Sequence, residues 1–115
     1  MAVEKEEFDL QIQLGQLAQQ YFPRMTKVPT LTIQRLCDKE YQDAPAWLNA
    51  RSGKLYIDER VYTFQEKMTK ILILHELIHY QLYLDKHPNP GDENSNEFQS
   101  ELARLKGKGA YTGLL

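Results

Sequence analysis

The sequence predicts one small α+β domain over residues 1–115, built from a helix, three strands and two further helices in that order. A chain of 115 residues is long enough for one modest core and too short for two. Its apolar residues change from helical to alternating spacing and back again. No repeat, low-complexity tract or linker divides the chain, so these elements are expected to share one core.

The first two elements follow from the spacing of apolar residues. A helix is predicted over residues 4 to 22, and Pro23 follows its end. The apolar face of this helix consists of Leu10, Leu14, Leu17, Ala18 and Tyr21. In the run TLTIQRLC, Leu31 and Ile33 alternate with polar neighbours, which predicts a half-buried strand.

The segment PAWLNARSGKLYID predicts a β-hairpin. Ser52 and Gly53 stand at the position of its turn, between two short runs with strand composition. Trp47 and Tyr56, one in each strand, are expected to pack in the core.

The limits of the last two helices are predicted from residues that favour the start of a helix and from residues that end one. Thr63 and Glu66 form a capping-box pattern, which predicts a helix that runs to about Leu84. The segment KHPNPGD carries two prolines and a glycine and should end it. The final helix is expected to start between Asp92 and Ser95 and to stop at Gly107.

Composition narrows the class of protein. The formal charge of −2 gives no reason to expect binding to nucleic acid or to an anionic membrane. No apolar segment resembles a signal peptide or reaches the length of a membrane span. Cys37 is the single cysteine, which excludes an internal disulfide and fits a reducing compartment. The expected location is the cytoplasm.

The stretch ILHELIHY, residues 73 to 80, places three ionisable groups in an apolar helix. His75 and His79 are four residues apart, so both rings lie on one side of the helix, close enough to share a metal ion. Two imidazoles at this spacing are good partial ligands for zinc. Glu76 stands beside them and can act as general base on a metal-bound water. The alternative is two core histidines, each satisfied by a hydrogen bond.

A catalytic zinc normally has three protein ligands and an open position, so a third ligand is expected after His79. The candidates are His87, Asp92, Glu93, Glu97 and Glu101. His87 is expected in a surface loop, and Asp92 and Glu93 in the first turn of the last helix, where acidic groups favour the helix dipole.

Glu97 and Glu101 are four residues apart on the last helix and share a face. Glu97 can therefore bind the metal while Glu101 accepts a hydrogen bond from a ligand histidine. The alternative is that both are solvated charges on a surface helix.

HELIH followed by NEFQSE resembles the gluzincin metallopeptidases, and the short chain is most similar to the single-domain minigluzincins. The resemblance implies a zincin-like domain that hydrolyses peptide or protein substrates, a zinc metalloendopeptidase. It implies zinc ligands His75, His79 and Glu97, with Glu76 as catalytic base and Glu101 behind a ligand. Where this family often has Asp, the chain has Glu101. The resemblance also implies that the isolated chain can be a latent zymogen.

Two alternatives differ in the third ligand or in the function. The chain also resembles the SprT-like and ImmA/IrrE-type peptidases, whose third ligand would fall near Asn94, a poor zinc ligand. A non-catalytic, zinc-stabilised interaction module is the other alternative, although such a module would need no base at Glu76. Tyr80, Tyr83 and Tyr111 are candidates for stabilising the oxyanion, and each can equally be packing or surface.

The tail KGKGAYTGLL follows the last helix. Its glycines favour an open or left-handed backbone, so it is expected to be a solvated end. The alternative is that its apolar residues lie across the cleft and block the substrate.

Overall fold

The computed structural model of the protein describes residues 2–34, 45–59 and 66–114. The elements are α1 (Ala2–Tyr21), β1 (Thr30–Gln34), β2 (Ala46–Asn49), β3 (Lys54–Asp58), α2 (Glu66–Leu84) and α3 (Asn96–Gly107). Their order confirms the predicted one, and the described part is an α+β protein with three helices and a three-stranded mixed sheet. The predicted cap at Thr63 lies outside the described residues, as does Cys37.

The sheet has the strand order β1-β3-β2, so β3 is central. β3 pairs parallel to β1 and antiparallel to β2, with which it forms the predicted hairpin. Gly53 closes the hairpin turn with φ of 72°, a left-handed conformation that glycine adopts without steric cost. Apolar residues of each strand face the helices, and β2 forms one edge of the sheet.

The opposite edge of the sheet is covered by α1. The Gln11 side chain accepts a hydrogen bond from the Leu31 backbone N–H at 2.6 Å and donates one to the Pro29 carbonyl at 3.0 Å. An unpaired strand edge is a ready template for another strand, and Gln11 occupies this one. α1 therefore protects the β1 edge at this position.

Helix α2 forms the centre of the hydrophobic core. Its fully buried residues are Ile73, Leu74, Leu77 and Ile78, and Leu82 is nearly so. They fall at helical spacing on one broad face, which packs against the sheet and the other helices. His75, Glu76 and His79 are left at the side of this face, half-buried rather than fully buried. No helix among the described residues is long and apolar enough to cross a membrane.

The tail folds back onto the core. Ala110 is 2% and Tyr111 7% exposed, and Leu114 packs against the same cluster. The tail through Leu114 is thus neither a solvated end nor a cover of the candidate cleft. The sequence did not predict this because the apolar residues of the tail are few and are separated by turn-forming residues.

A Schellman motif directs the chain into this packing. The Ala110 N–H donates to the Leu105 carbonyl at 3.0 Å, and the Gly109 N–H donates to the Lys106 carbonyl at 3.1 Å. Gly109 has φ of 81°, the left-handed conformation that this motif requires. Leu105 and Ala110 are both buried, as expected for the apolar contact of the motif.

We predict that Gly109→Ala destabilises the protein whereas Gly107→Ala does not. A Cβ at Gly109 would be strained at its positive φ and would lie 3.3 Å from Thr112 Oγ1. The left-handed conformation costs a non-glycine residue about 1–2 kcal/mol. Gly107 is the matched control, because it is helical and has nothing within 4 Å of an added Cβ. Urea denaturation should show the loss only at position 109, and equal midpoints for both variants would contradict the prediction.

Candidate metal centre

His75 and His79 bring their Nε2 atoms together on the side of α2. The two Nε2 atoms are 3.2 Å apart, and the ring centroids are 4.9 Å apart in an edge-to-face arrangement. Their spacing of four residues on the helix explains the approach, as the sequence predicts. The His79 side chain is 13% exposed and that of His75 32%, so the pair lies at the surface end of the core.

The tautomer of His79 is set by a backbone carbonyl. His79 Nδ1 lies 2.8 Å from the Pro90 carbonyl oxygen, which can only accept a hydrogen bond. Nδ1 therefore carries the proton, and in the neutral ring the lone pair of Nε2 faces His75 and Glu93. A histidine that binds a metal through one nitrogen commonly donates its other N–H in this way.

Glu93 is the third member of the group. Its Oε1 contacts His75 Nε2 directly and lies 3.6 Å from His79 Nε2. One ligand atom from each of the three residues lies within 4.8 Å of the others, and this is the group among the described residues that could hold a metal ion. The Glu93 side chain is 56% exposed, so the group is open to solvent on one side.

The end of α2 returns the chain towards the histidines. The His87 N–H donates to the Leu82 carbonyl at 3.1 Å, and the Lys86 N–H donates to the Tyr83 carbonyl at 3.0 Å. This is a second Schellman motif, and Lys86 takes its left-handed position with φ of 61°. The reversal sends the loop that follows back along α2.

Hydrogen bonds within the loop then hold Glu93 in place. The Asp92 side chain accepts from the Asn94 N–H at 2.9 Å, which forms a local turn around Glu93. Gln99 of α3 donates from Nε2 to the Glu93 carbonyl at 2.7 Å. Glu93 is therefore tied to α3 through its backbone while its carboxylate reaches the histidines.

Phe98 forms the wall behind both imidazoles. Its ring centroid is 4.7 Å from that of His79 and 5.2 Å from that of His75, and the residue is 2% exposed. Ser95 caps α3 by accepting a hydrogen bond from the Phe98 N–H at 3.1 Å, which places Phe98 in the first turn. Phe98 was not predicted to be part of the site, although an aromatic residue in the helix that faces HELIH was an available signal.

Glu97 is not placed with the histidines, in contrast to the prediction. α3 begins at Asn96 after the Ser95 cap, so Glu93 precedes the helix instead of lying in its first turn. Glu97 lies in that turn and is exposed beside a small pocket that His87 also lines. Glu93, rather than Glu97, lies beside the histidines, and it is adjacent to Asn94, the position of the alternative alignment.

Glu101 likewise differs from the prediction that it supports a ligand histidine. Its Oε2 accepts from Arg104 Nε at 2.6 Å, and its Oε1 accepts from Arg24 Nη2 at 3.2 Å. Arg104 also donates to the Tyr21 carbonyl at 2.7 Å. Glu101 therefore joins α3 to the end of α1, and the Pro90 carbonyl is the partner of His79 instead.

Glu76 lies in a cleft between α2 and the edge strand β2. The cleft has a volume of about 250 Å³, and its walls include Trp47, Leu48, Glu76, His79 and Pro90. Burial raises the pKa of the Glu76 carboxyl, and nearby Glu93 adds to this, whereas His79 and His75 oppose it. A carboxylate with a raised pKa is a stronger base than an ordinary one.

Trp47 is part of this cleft rather than of the core. It is 38% exposed and lies on the outer face of the sheet, opposite a half-buried Tyr56 in β3. The expectation that Trp47 packs in the core is wrong, because side chains alternate along β2 and Trp47 falls on the opposite side from the buried Ala46. The walls of the cleft include none of the three tyrosines considered for the oxyanion.

The donor set matches the chemistry of zinc. Zinc binds imidazole nitrogen and carboxylate oxygen at about 2.0–2.2 Å, so two ligand atoms of a tetrahedral site are about 3.3 Å apart. Two of the three separations lie close to this value, 3.2 Å between the Nε2 atoms and 3.6 Å between His79 Nε2 and Glu93 Oε1. His75 Nε2 and Glu93 Oε1 are in direct contact and would have to move apart around an ion. In zinc proteins generally, catalytic sites have three protein donors and an open position, whereas structural sites have four protein donors.

Comparisons of this chain with protein-family models, with curated proteins and with solved structures gave no match.

Proposed function

We propose that the protein is a zinc-dependent metallopeptidase with a zincin-like domain. The observation that carries the proposal is the convergence of His75, His79 and Glu93 on one point, with Glu76 beside them in a cleft. A site that only stabilised the fold would need ligands but no additional carboxylate facing a cleft. The proposed ligand set replaces Glu97 of the sequence-based prediction by Glu93.

The chain's own residues would divide the chemistry between binding and proton transfer. A zinc ion bound by this set supplies an activated water and polarises a carbonyl oxygen. Glu76 would accept a proton at its carboxylate and return it to the departing amine nitrogen. Burial of Glu76 favours this task, because it makes the carboxylate a stronger base.

The edge strand β2 would hold the substrate. In the described part of the chain β2 pairs only with β3, and its residues 46–48 line the cleft that contains Glu76. An extended peptide can add to such an edge through main-chain hydrogen bonds. The β1 edge does not compete, since Gln11 occupies it.

We predict that Glu76→Gln abolishes peptide hydrolysis but retains zinc. Glutamine preserves the size of the side chain and removes its basicity. General-base catalysis contributes about 10²–10⁴-fold, so cleavage of fluorescein-labelled casein should fall by at least about 100-fold. Zinc content by atomic absorption and the melting temperature should be unchanged.

Glu7→Gln is the matched control for this variant, because Glu7 lies in α1 and takes no part in the site contacts. It should cleave casein like the wild type. Cleavage retained by Glu76→Gln would remove Glu76 from the mechanism.

A further prediction separates the two candidate ligands. Loss of a residue that only hydrogen-bonds to a metal ligand typically weakens metal binding by about 10–100-fold. Because Glu93 is proposed to bind the metal directly, Glu93→Ala should weaken zinc binding by more than this. Glu97→Ala should leave the affinity for zinc unchanged, because Glu97 is exposed away from the histidines. Titration against a competing zinc chelator measures both variants. A loss confined to Glu97→Ala would restore the ligand set predicted from the sequence.

A further inference from the structure

A second pocket continues the cleft around the hairpin turn. This pocket, here called the turn pocket, has a volume of about 440 Å³, and the residues that matter for its chemistry are Lys27, Arg51, Ser52, Tyr80 and Tyr83. Ala50 lines both the turn pocket and the cleft, so the two are neighbours along the chain direction of β2. A peptide lying along β2 can therefore extend from one into the other.

The turn pocket is positively charged. Lys27 and Arg51 line it, and no Asp or Glu of residues 2–34, 45–59 and 66–114 does. Within the described segments neither cation takes part in an ion pair, whereas nearby Arg24 binds both Asp85 and Glu101. Asp85, just beyond the pocket, is engaged by Arg24 at 3.1 Å and accepts from Gln81 at 3.0 Å. The two cations of the pocket are thus not neutralised by these acids.

The aromatic wall of the turn pocket adds hydrogen-bonding groups. Tyr80 and Tyr83 stack with ring centroids 6.4 Å apart and an angle of 11° between their planes. Tyr80 is 4% exposed, whereas Tyr83 is 39% exposed. The tyrosine hydroxyls can donate to an anion that the cations attract. The Ser52 hydroxyl already donates to the Asn49 carbonyl at 3.3 Å.

The distance between Glu76 and the turn pocket indicates how many substrate residues separate the cleaved bond from the pocket. Tyr80 and Tyr83 follow Glu76 by four and seven residues on α2, which corresponds to about 6–10 Å along the helix axis. An extended peptide advances about 3.3 Å per residue. A peptide that runs alongside α2 would therefore reach the turn pocket about two to three residues from the bond that Glu76 would act on.

We infer that the turn pocket binds a carboxylate of the peptide substrate, two to three residues from the scissile bond. This inference rests on the proposed function and adds a substrate preference to it. The carboxylate can belong to an Asp or Glu side chain or to the C-terminus of the peptide. Lys27 and Arg51 attract it, and the tyrosine hydroxyls of the pocket can donate hydrogen bonds that orient it.

The test is a peptide scan with two readouts. The parent is a fluorescein-labelled decapeptide without acidic residues and with a C-terminal amide, and its variants carry Glu or Gln at each position in turn. One further variant has a free C-terminal carboxylate two or three residues after the cleaved bond. Wild-type protein gives kcat/KM, and Glu76→Gln gives binding of the intact peptide by fluorescence anisotropy.

Glu should raise kcat/KM over Gln at one position, two or three residues from the cleaved bond. An exposed ion pair contributes up to about 1 kcal/mol, which corresponds to about 5-fold, and the preference should shrink in high salt. Arg51→Ala should reduce the preference, and Arg51→Glu should transfer it to a Lys-containing peptide. Lys106→Ala, an exposed cation of α3 away from both pockets, is the matched control and should keep it.

The outcomes separate this inference from the proposed function. Equal cleavage of Glu and Gln peptides at every position would overturn the inference and leave the peptidase standing. If no peptide is cleaved but Glu peptides bind in an Arg51-dependent way, the pocket is supported and the peptidase is not. A gain from the free C-terminus alone would assign the pocket to terminal carboxylates, and a gain from internal Glu to acidic side chains.

Discussion

The hydrogen bond between His79 Nδ1 and the Pro90 carbonyl is the contact on which the site depends. At 2.8 Å it joins the central helix to the loop that follows it, and it places the lone pair of Nε2 on the side of His75. The same contact brings the loop close enough for Glu93 to reach both rings. One backbone carbonyl therefore sets the tautomer of His79 and helps to bring the third candidate ligand to the two rings.

Helix α2 carries both the centre of the hydrophobic core and the ionisable residues of the site. Burial of α2 stabilises the fold through Ile73, Leu74, Leu77 and Ile78, while the neighbouring ionisable groups are costly to desolvate without partners. The structure resolves this by supporting the polar groups from α3. Phe98 packs against the imidazoles, and Gln99 holds the backbone of Glu93. α3 is in turn anchored to α1 through Glu101 and Arg104.

The sequence predicted the elements better than it predicted the third candidate ligand. Periodicity and the HELIH spacing are local properties, so the strands, the hairpin and the meeting of His75 with His79 could be read directly. The position of Glu93 could not be predicted in this way, because it depends on a left-handed Lys86 and on a helix that starts only after Ser95. Glu93 was expected in the first turn of the last helix, but the helix starts a few residues later, and Glu93 instead lies next to the histidines. Trp47 was misplaced because the sequence does not show which side of β2 faces the core.

The contacts of the site join residues that are close along the chain. His75 and Glu93 are 18 residues apart, His79 and Pro90 are 11 apart, and Glu93 and Gln99 are 6 apart. The contacts that attach α3 to α1 span 77 and 83 residues. Because closing a short loop costs less entropy than closing a long one, the pair of helices that carries the site is expected to assemble before α1 docks. The order of folding events would then run from the site outward, with the long-range contacts formed last.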